Sequence, residues 1–360
     1  MRYFIALSAT TVLLGCSEYE YYTQDAADVF YQLEASEVDI LLVVDNSCSM
    51  EPYQTKLANN FDNFLTFFVE GDVDYQIGVT TTSVGESEPY GSCTQQDIDA
   101  IPAVGDLVGN TIITPETANG SDVFSDIVNV GVCGYGYEMG LESGYQVLNH
   151  AFLGLNTHGL IRDEAFLSLI FVSDEEDASP WPVNDYINAM RSIKGQDGER
   201  AALNASALVV NSTDDCNQNQ INSGATPGNR YLDVAEQMDG IIGNICGDDF
   251  ESIVTELSLT SSRLTDTFNL SLLPAVGSIV VAITDSSGDD YEVGCDTGEW
   301  AYELVGEGNE IYGTIVFDRA FLPPPNSKIT VSYDLGNGDP VDFCGGTGEA
   351  GGSDDSGGAE

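Results

Sequence analysis

Three short apolar runs do most to limit what this chain can become: "ILLVV" at 40–44, "FLSLIFV" at 166–172 and "ALVV" at 207–210. Runs this short and this continuous suit strands buried on both faces, as in the middle of a parallel sheet. Strands are expected at 37–45, 165–173 and 204–212, with another at 74–84, "DYQIGVTTTSV". Between them the apolar period changes from two to about 3.6. Leu57, Phe61, Phe64, Leu65 and Phe68 form one helical face, and Tyr137, Leu141, Tyr145 and Leu148 a second within 136–152. Further helices are expected at 183–193, 231–241 and 249–261. Strands alternating with helices predict an α/β fold, a Rossmann-like doubly wound and mostly parallel sheet, over 37–262. Residues 85–129, rich in Gly, Ser, Thr and Pro, read as a long surface excursion. After 262 the rhythm becomes short alternating strands between turn residues, which predicts a small all-β domain over 263–344 with "PPPNS" as a hairpin link. The Gly-rich acidic end, 345–360, cannot bury anything and reads as disordered.

Charge narrows the partners. The 360 residues carry 59 Asp and Glu against 10 Lys and Arg, a formal net charge of -49. Nucleic acid and anionic lipid surfaces both need basic clusters that this chain lacks, so no nucleic-acid partner is expected. Most of these carboxylates read as a solvated surface. The opening "MRYFIALSATTVLLGC" has Arg2, an apolar run too short to span a bilayer, then small residues before Cys16. It resembles a bacterial lipobox, which implies a signal peptide over 1–15, a lipidated Cys16, a tether over 16–36 and no membrane contact beyond the acyl anchor. Ser17 in place of Asp after the cysteine implies the outer membrane or cell surface. In such an oxidising compartment disulfides are the default, and the absence of a CxxC pair argues against zinc. Cys216 with Cys246, and Cys295 with Cys344, are sensible local pairs; among Cys48, Cys93 and Cys133 one is left over.

The chemistry concentrates at two strand ends. "VVDNSCSM" places Asp45, Ser47 and Ser49 just past the first buried strand, and "FVSDEED" places Asp174 just past the third. In an extended loop residues i, i+2 and i+4 face one way. In an open α/β sheet, loops at the carboxyl ends of neighbouring strands meet at the ligand crevice. Carboxylates with hydroxyls are hard oxygen donors, suited to Mg²⁺, Ca²⁺ or Mn²⁺. These residues resemble the von Willebrand factor A domain and its metal-ion-dependent adhesion site. The D-x-S-x-S pattern is matched by Asp45, Ser47 and Ser49, and the later aspartate by Asp174. Bacterial lipoproteins carrying this domain are similar in "IGVTTT", "VNVGVCGYGYEMGLES", "VSDEED" and "RSIKG". The resemblance implies a divalent cation that bridges to a carboxylate on a partner protein. One place departs from it: the middle loop, which in the family supplies a threonine hydroxyl, holds Val132 and Cys133 and no Thr. Glu138 is the nearest oxygen donor and the substitute candidate.

Plainer readings stand beside these. Ser49 before Glu51 and Pro52 is also a good helix N-cap. Glu175, Glu176 and Asp177 read as solvated or helix-start charges, and "DSSGDD" at 285–290 as an acidic hairpin turn. His150 and His158, the two histidines, read as packing or capping residues, as do Trp181 and Trp300 as packing residues. Without a placed histidine, a G-x-S-x-G elbow or a Walker sequence, a binding protein is expected rather than an enzyme. The alternatives are a structural surface module with an unoccupied relic site and a metal-dependent hydrolase.

Overall fold

In the computed structural model the described residues are 25–32, 37–70, 73–85, 92–155, 159–194, 196–197, 200–201, 203–247, 250–262, 264–306, 311–324 and 326–336. Cys16, His158, Cys344 and the 345–360 tail lie outside them. The α/β domain is a five-stranded parallel sheet in the order β3-β2-β4-β7-β8. Its strands are β2 (Glu37–Val44), β3 (Asp74–Thr81), β4 (Phe166–Ser173), β7 (Leu203–Val209) and β8 (Ile242–Asn244). A small hairpin, β5 (Gln196–Asp197) with β6 (Arg200–Ala201), precedes β7.

Alternation along β2 shows why its apolar run is unbroken. Val38, Ile40, Leu42 and Val44 face one core; Leu41 and Val43 face the other. The first core is closed by α1 (Glu51–Asn59), α2 (Phe61–Glu70), α4 (Gly120–Val128) and α9 (Phe250–Ser262). The second is closed by α5 (Gly140–Phe152), α6 (Val183–Lys194) and α8 (Asn229–Gln237). Both faces are dry, so β2 and β4 have no position to spare for an exposed polar side chain.

The described part of 85–129 is not wholly a surface excursion, since it buries Leu107, Ile113, Phe124, Ile127 and Val128. It holds the short α3 (Gln95–Asp99), and Ile113 exchanges backbone hydrogen bonds with Ile77 at the sheet edge, 2.8 and 2.9 Å. Helix α4 buries Phe124, Ile127 and Val128, and the Phe124 ring stacks on Phe61 at 3.8 Å between centroids. Its one apolar stripe was hidden by the small polar residues around it. The first helical face is also two helices, broken at Asn60.

The second domain contains β9 (Thr267–Asn269), β10 (Val280–Thr284), β11 (Asp290–Val293), β12 (Trp300–Val305), β13 (Tyr312–Phe317) and β14 (Lys328–Asp334). Its two antiparallel sheets, β1-β14-β10-β11 and β12-β13-β9, enclose one core that includes Phe268, Trp300, Ile315 and Ile329. "PPPNS" does not close a hairpin, because β13 and β14 belong to different sheets; the link crosses between them.

The tether reading of 16–36 fails for its second half. Residues 25–31 form β1 (Asp25–Tyr31), paired antiparallel with β14 over seven residues. Tyr333 Oη and the Ser271 amide both donate to Asp28, at 2.6 and 2.9 Å, and the Phe30 ring lies 5.3 Å from that of Phe268. The strand alternates exposed and half-buried residues, so Asp25, Ala27, Val29 and Tyr31 face water while Ala26, Asp28 and Phe30 lie on the inner side. The α/β domain is therefore inserted between the first strand of the sandwich and the rest of it.

Candidate cation site

Strand register builds the site. Val44 of β2 pairs with Thr81 of β3 and Val172 of β4. The next residues, Asp45, Thr82 and Ser173, therefore emerge side by side at the carboxyl edge of the sheet. The Asp45 amide donates to Val172 O at 2.9 Å and the Thr82 amide to Val44 O at 3.2 Å, carrying the ladder one step past the strands.

The sequence-predicted residues converge there. Asp45 is fully buried; its Oδ1 accepts from the Ser47 amide at 2.7 Å and its Oδ2 from Ser173 Oγ at 2.6 Å. Ser49 Oγ donates to Asp174 Oδ1 at 3.0 Å, and the hydroxyls of Ser47 and Ser49 are 3.1 Å apart. Asp174 is 1% exposed and Glu138 is 2% exposed. Thr82 Oγ1 donates to Glu138 Oε2 at 3.0 Å. The N-cap of α1 is Met50, with no side-chain cap, so Ser49 does not cap the helix; its hydroxyl is committed to Asp174.

Sequence reasoning missed several members of this edge. Thr82 and Ser173 end their strands, and the register above is the only signal that marks them. Gln54, buried on α1, donates to both Asp45 O and Gly131 O at 2.9 Å and ties the two loops. Ser83 Oγ donates to Asn46 Oδ1 and accepts from the Tyr135 amide. The Gly134 amide donates to Asn46 O at 2.8 Å, and a Cβ at Gly134 would collide with the Asn46 side chain. Beneath the site Tyr231 Oη accepts from the Gly140 amide at 3.2 Å, an approach that a Cβ on Gly140 would block.

The electrostatics are one-sided. Burial, then the Asp45 charge, pushes Glu138 up to about 9 and Asp174 up to about 7. Burial also raises Asp45, against hydrogen bonds from Ser173 and Ser47 that lower it. Glu175 is raised by burial and then by Asp45. Among the described residues no Lys or Arg forms an ion pair with any of the four. Two buried oxygens, Asp174 Oδ2 and Glu138 Oε1, have no hydrogen-bond partner. A buried carboxylate cluster without a counter-ion must hold protons or a cation.

The donor set fits a hard cation. Among the described residues no three His, Cys, Asp or Glu side chains meet at metal-ligand spacing, so carboxylates alone do not complete a shell. Asp45, Asp174 and the Ser47 and Ser49 hydroxyls would supply it, all oxygen donors, and the two orphaned oxygens would gain a partner.

The neighbouring acids do other work. Glu176 accepts from the amides of Asn229 and Arg230, at 3.1 and 3.0 Å, and so caps the start of α8. Asp177 is buried rather than solvated: it accepts from the Leu141 amide at 3.1 Å and from Arg230 Nε at 2.8 Å. Asp285 accepts from the Ser287 and Asp289 amides inside the β10–β11 turn. His150 lies near Asp106 at the far end of α5, about 15 Å along the helix from the site by its rise per residue. Trp181 stacks on Tyr186 with centroids 5.2 Å apart, and Trp300 Nε1 donates to Val293 O at 2.8 Å.

Two disulfides flank the site. Cys93–Cys133 joins the α3 region to the loop before α5, and Cys216–Cys246 joins the loops after β7 and β8. Cys295 is also disulfide-bonded; its expected partner Cys344 lies outside the described residues. Cys48 is free and exposed, its thiol 3.4 Å from Val132 O, so it does not anchor its loop through a disulfide. Disulfides of this kind mark a chain that folds in an oxidising compartment. No helix among the described residues is long and apolar enough to cross a membrane.

No protein-family model matches the chain, and no curated protein matches it. Solved structures to which it is similar include proximal thread matrix protein 1 from the mussel byssus in crystal form 2. That match has 10% identity and a TM-score of 0.37 over 68% of this chain and 51% of the other. The same mussel protein with a zinc-occupied MIDAS motif matches at 13% identity and TM-score 0.39, over 66% and 48%. The open conformation of the pilus adhesin SpaC from Lactobacillus rhamnosus GG matches at 13% and 0.41, over 89% and 42%. The chain spans about half the length of the structures it matches.

Proposed function

We propose that this chain is a surface binding protein, lipid-anchored through Cys16 at the bacterial outer membrane or cell surface. Its α/β domain would hold a divalent cation, Mg²⁺, Ca²⁺ or Mn²⁺, between Asp45, Ser47, Ser49 and Asp174, with Glu138 at the same edge. The cation would serve to dock an acidic group of a partner protein. The observation that carries this reading is the pair of buried, unpartnered oxygens on Asp174 and Glu138, in a carboxylate cluster with no ion pair to Lys or Arg among the described residues.

A bound cation supplies positive charge and open coordination positions for an oxygen ligand. The protein's part is to fix the donors: Ser173 and the Ser47 amide aim Asp45, Ser49 aims Asp174, and Gln54 ties the loop of Asp45 to the loop at Gly131. Binding is favoured over catalysis because His150, the one histidine among the described residues, sits far down α5.

Calorimetric titration of Mg²⁺, Ca²⁺ and Mn²⁺ into wild type and Asp45→Ala tests the site. Saturable binding by wild type and its loss in the variant are expected; equal binding by both would sink the reading. A pull-down from intact membranes with and without chelator then tests the partner, which should be retained only with metal.

A further inference from the structure

The 131–138 loop brings a third carboxylate into a place where only two are needed. Asp45 and Asp174 together balance the charge of one divalent ion. Glu138 adds a further carboxylate at the same edge, bonded to Thr82, which stands level with Asp45. Its backbone is pinned on two sides, by Ala178 N to Glu138 O at 2.6 Å and by Met139 N to Thr82 O at 3.0 Å. The side chain is held more lightly. One oxygen accepts a single hydrogen bond from Thr82 Oγ1, and the other, buried, has none. That free oxygen belongs to a side chain 2% exposed on the crowded face of the site.

We infer that Glu138 is an intramolecular competitor: it fills the acidic-ligand place of the site, and a partner's carboxylate must displace it. This inference rests on the cation reading above and concerns what the loaded site accepts. With Glu138 in place, a divalent ion and three carboxylates carry a net negative charge, and a fourth carboxylate arrives against it. With Glu138 turned away, the ion and its two aspartates are neutral, and the incoming carboxylate meets no excess charge. Thr82 sets the balance, because its hydroxyl is the one hydrogen bond that seats Glu138 in the site. Affinity for acidic partners is therefore governed by how readily one side chain rotates out.

The test uses Mn²⁺-loaded full chain with acetate as the probe and acetamide as the neutral control, read by calorimetry and by water-proton relaxation of the bound ion. Glu138→Gln keeps an acceptor for Thr82 and removes the charge. Glu138→Thr removes the carboxylate altogether. At Mn²⁺ concentrations that saturate all three proteins, both variants should bind acetate at least ~10-fold more tightly than wild type, a gain of about 1.4 kcal/mol, with no gain for acetamide. Equal acetate affinity in wild type and both variants, with Mn²⁺ bound in all three, overturns the inference and leaves the cation site standing. Loss of Mn²⁺ from both variants also overturns it, making Glu138 an obligatory ligand. If wild type takes up no Mn²⁺, the cation reading itself fails.

Discussion

Cation binding should expel protons, and the number follows from the site. In the metal-free protein Glu138 titrates near 9 and Asp174 near 7, both raised by burial and by Asp45. At pH 7 Glu138 is almost fully protonated and Asp174 about half so. If both ionise when a divalent ion enters, about 1.5 protons leave per ion at pH 7, about 1.9 at pH 6 and about 1.0 at pH 8. Apparent affinity should then rise roughly a thousandfold from pH 6 to pH 8. Calorimetry with Ca²⁺ in two buffers of different ionisation enthalpy counts these protons directly. Glu138→Gln should lower the pH 7 count to about 0.5. The stability of the metal-free protein carries the opposite sign. Both folded values lie above the ordinary 4.5 and 3.8, so the fold binds more protons than the unfolded chain between them. The stabilisation is complete below about pH 4 and is lost as pH rises through about 7 and then about 9, until a cation restores it. A proton count near zero at pH 7, with affinity flat from pH 6 to 8, would refute the reasoning, because the carboxylates would then be ionised without the ion.

Three further outcomes are expected. Phe124→Ala removes the ring stacked on Phe61 and should cost about 3–5 kcal/mol in denaturant melts; a loss below about 1 would return 85–129 to the surface. Replacing Cys93 and Cys133 together with Ser opens a loop of 40-residue separation and should cost about 4 kcal/mol. Deleting residues 1–24 should leave the β sandwich folded, whereas deleting 1–31 strips β14 of one of its two antiparallel partners and should lower the melting temperature of that domain.

The α/β sheet was legible because strands buried on both faces leave unbroken apolar runs, and β2 and β4 fall within a residue of their expected bounds. Asp45 and Asp174 were legible because such runs end in acids. What escaped depended on register or on distant pairing. Thr82 reaches Glu138 only because β3 ends level with β2, and no local pattern announces that. Strand β1 is short, with two Asp among its seven residues, and on its own it cannot bury enough to fold; its partner lies some three hundred residues away in β14. Helix α4 has its stripe, but Gly and Ser at its start masked it.

The insertion of the α/β domain after β1 has a mechanical consequence. With Cys16 as the proposed anchor, the eight residues before Asp25 reach at most about 28 Å, so the sandwich stays near the membrane. A pull on a ligand held at Asp45 travels down β2 and then along β1 toward the anchor, two extended strands in series. Strands β9 to β14 hang beside that route rather than lying in series with it. The tension would be borne by two strands already near their contour length, and the sandwich would act as a brace that keeps the first of them straight rather than as a spring that unfolds.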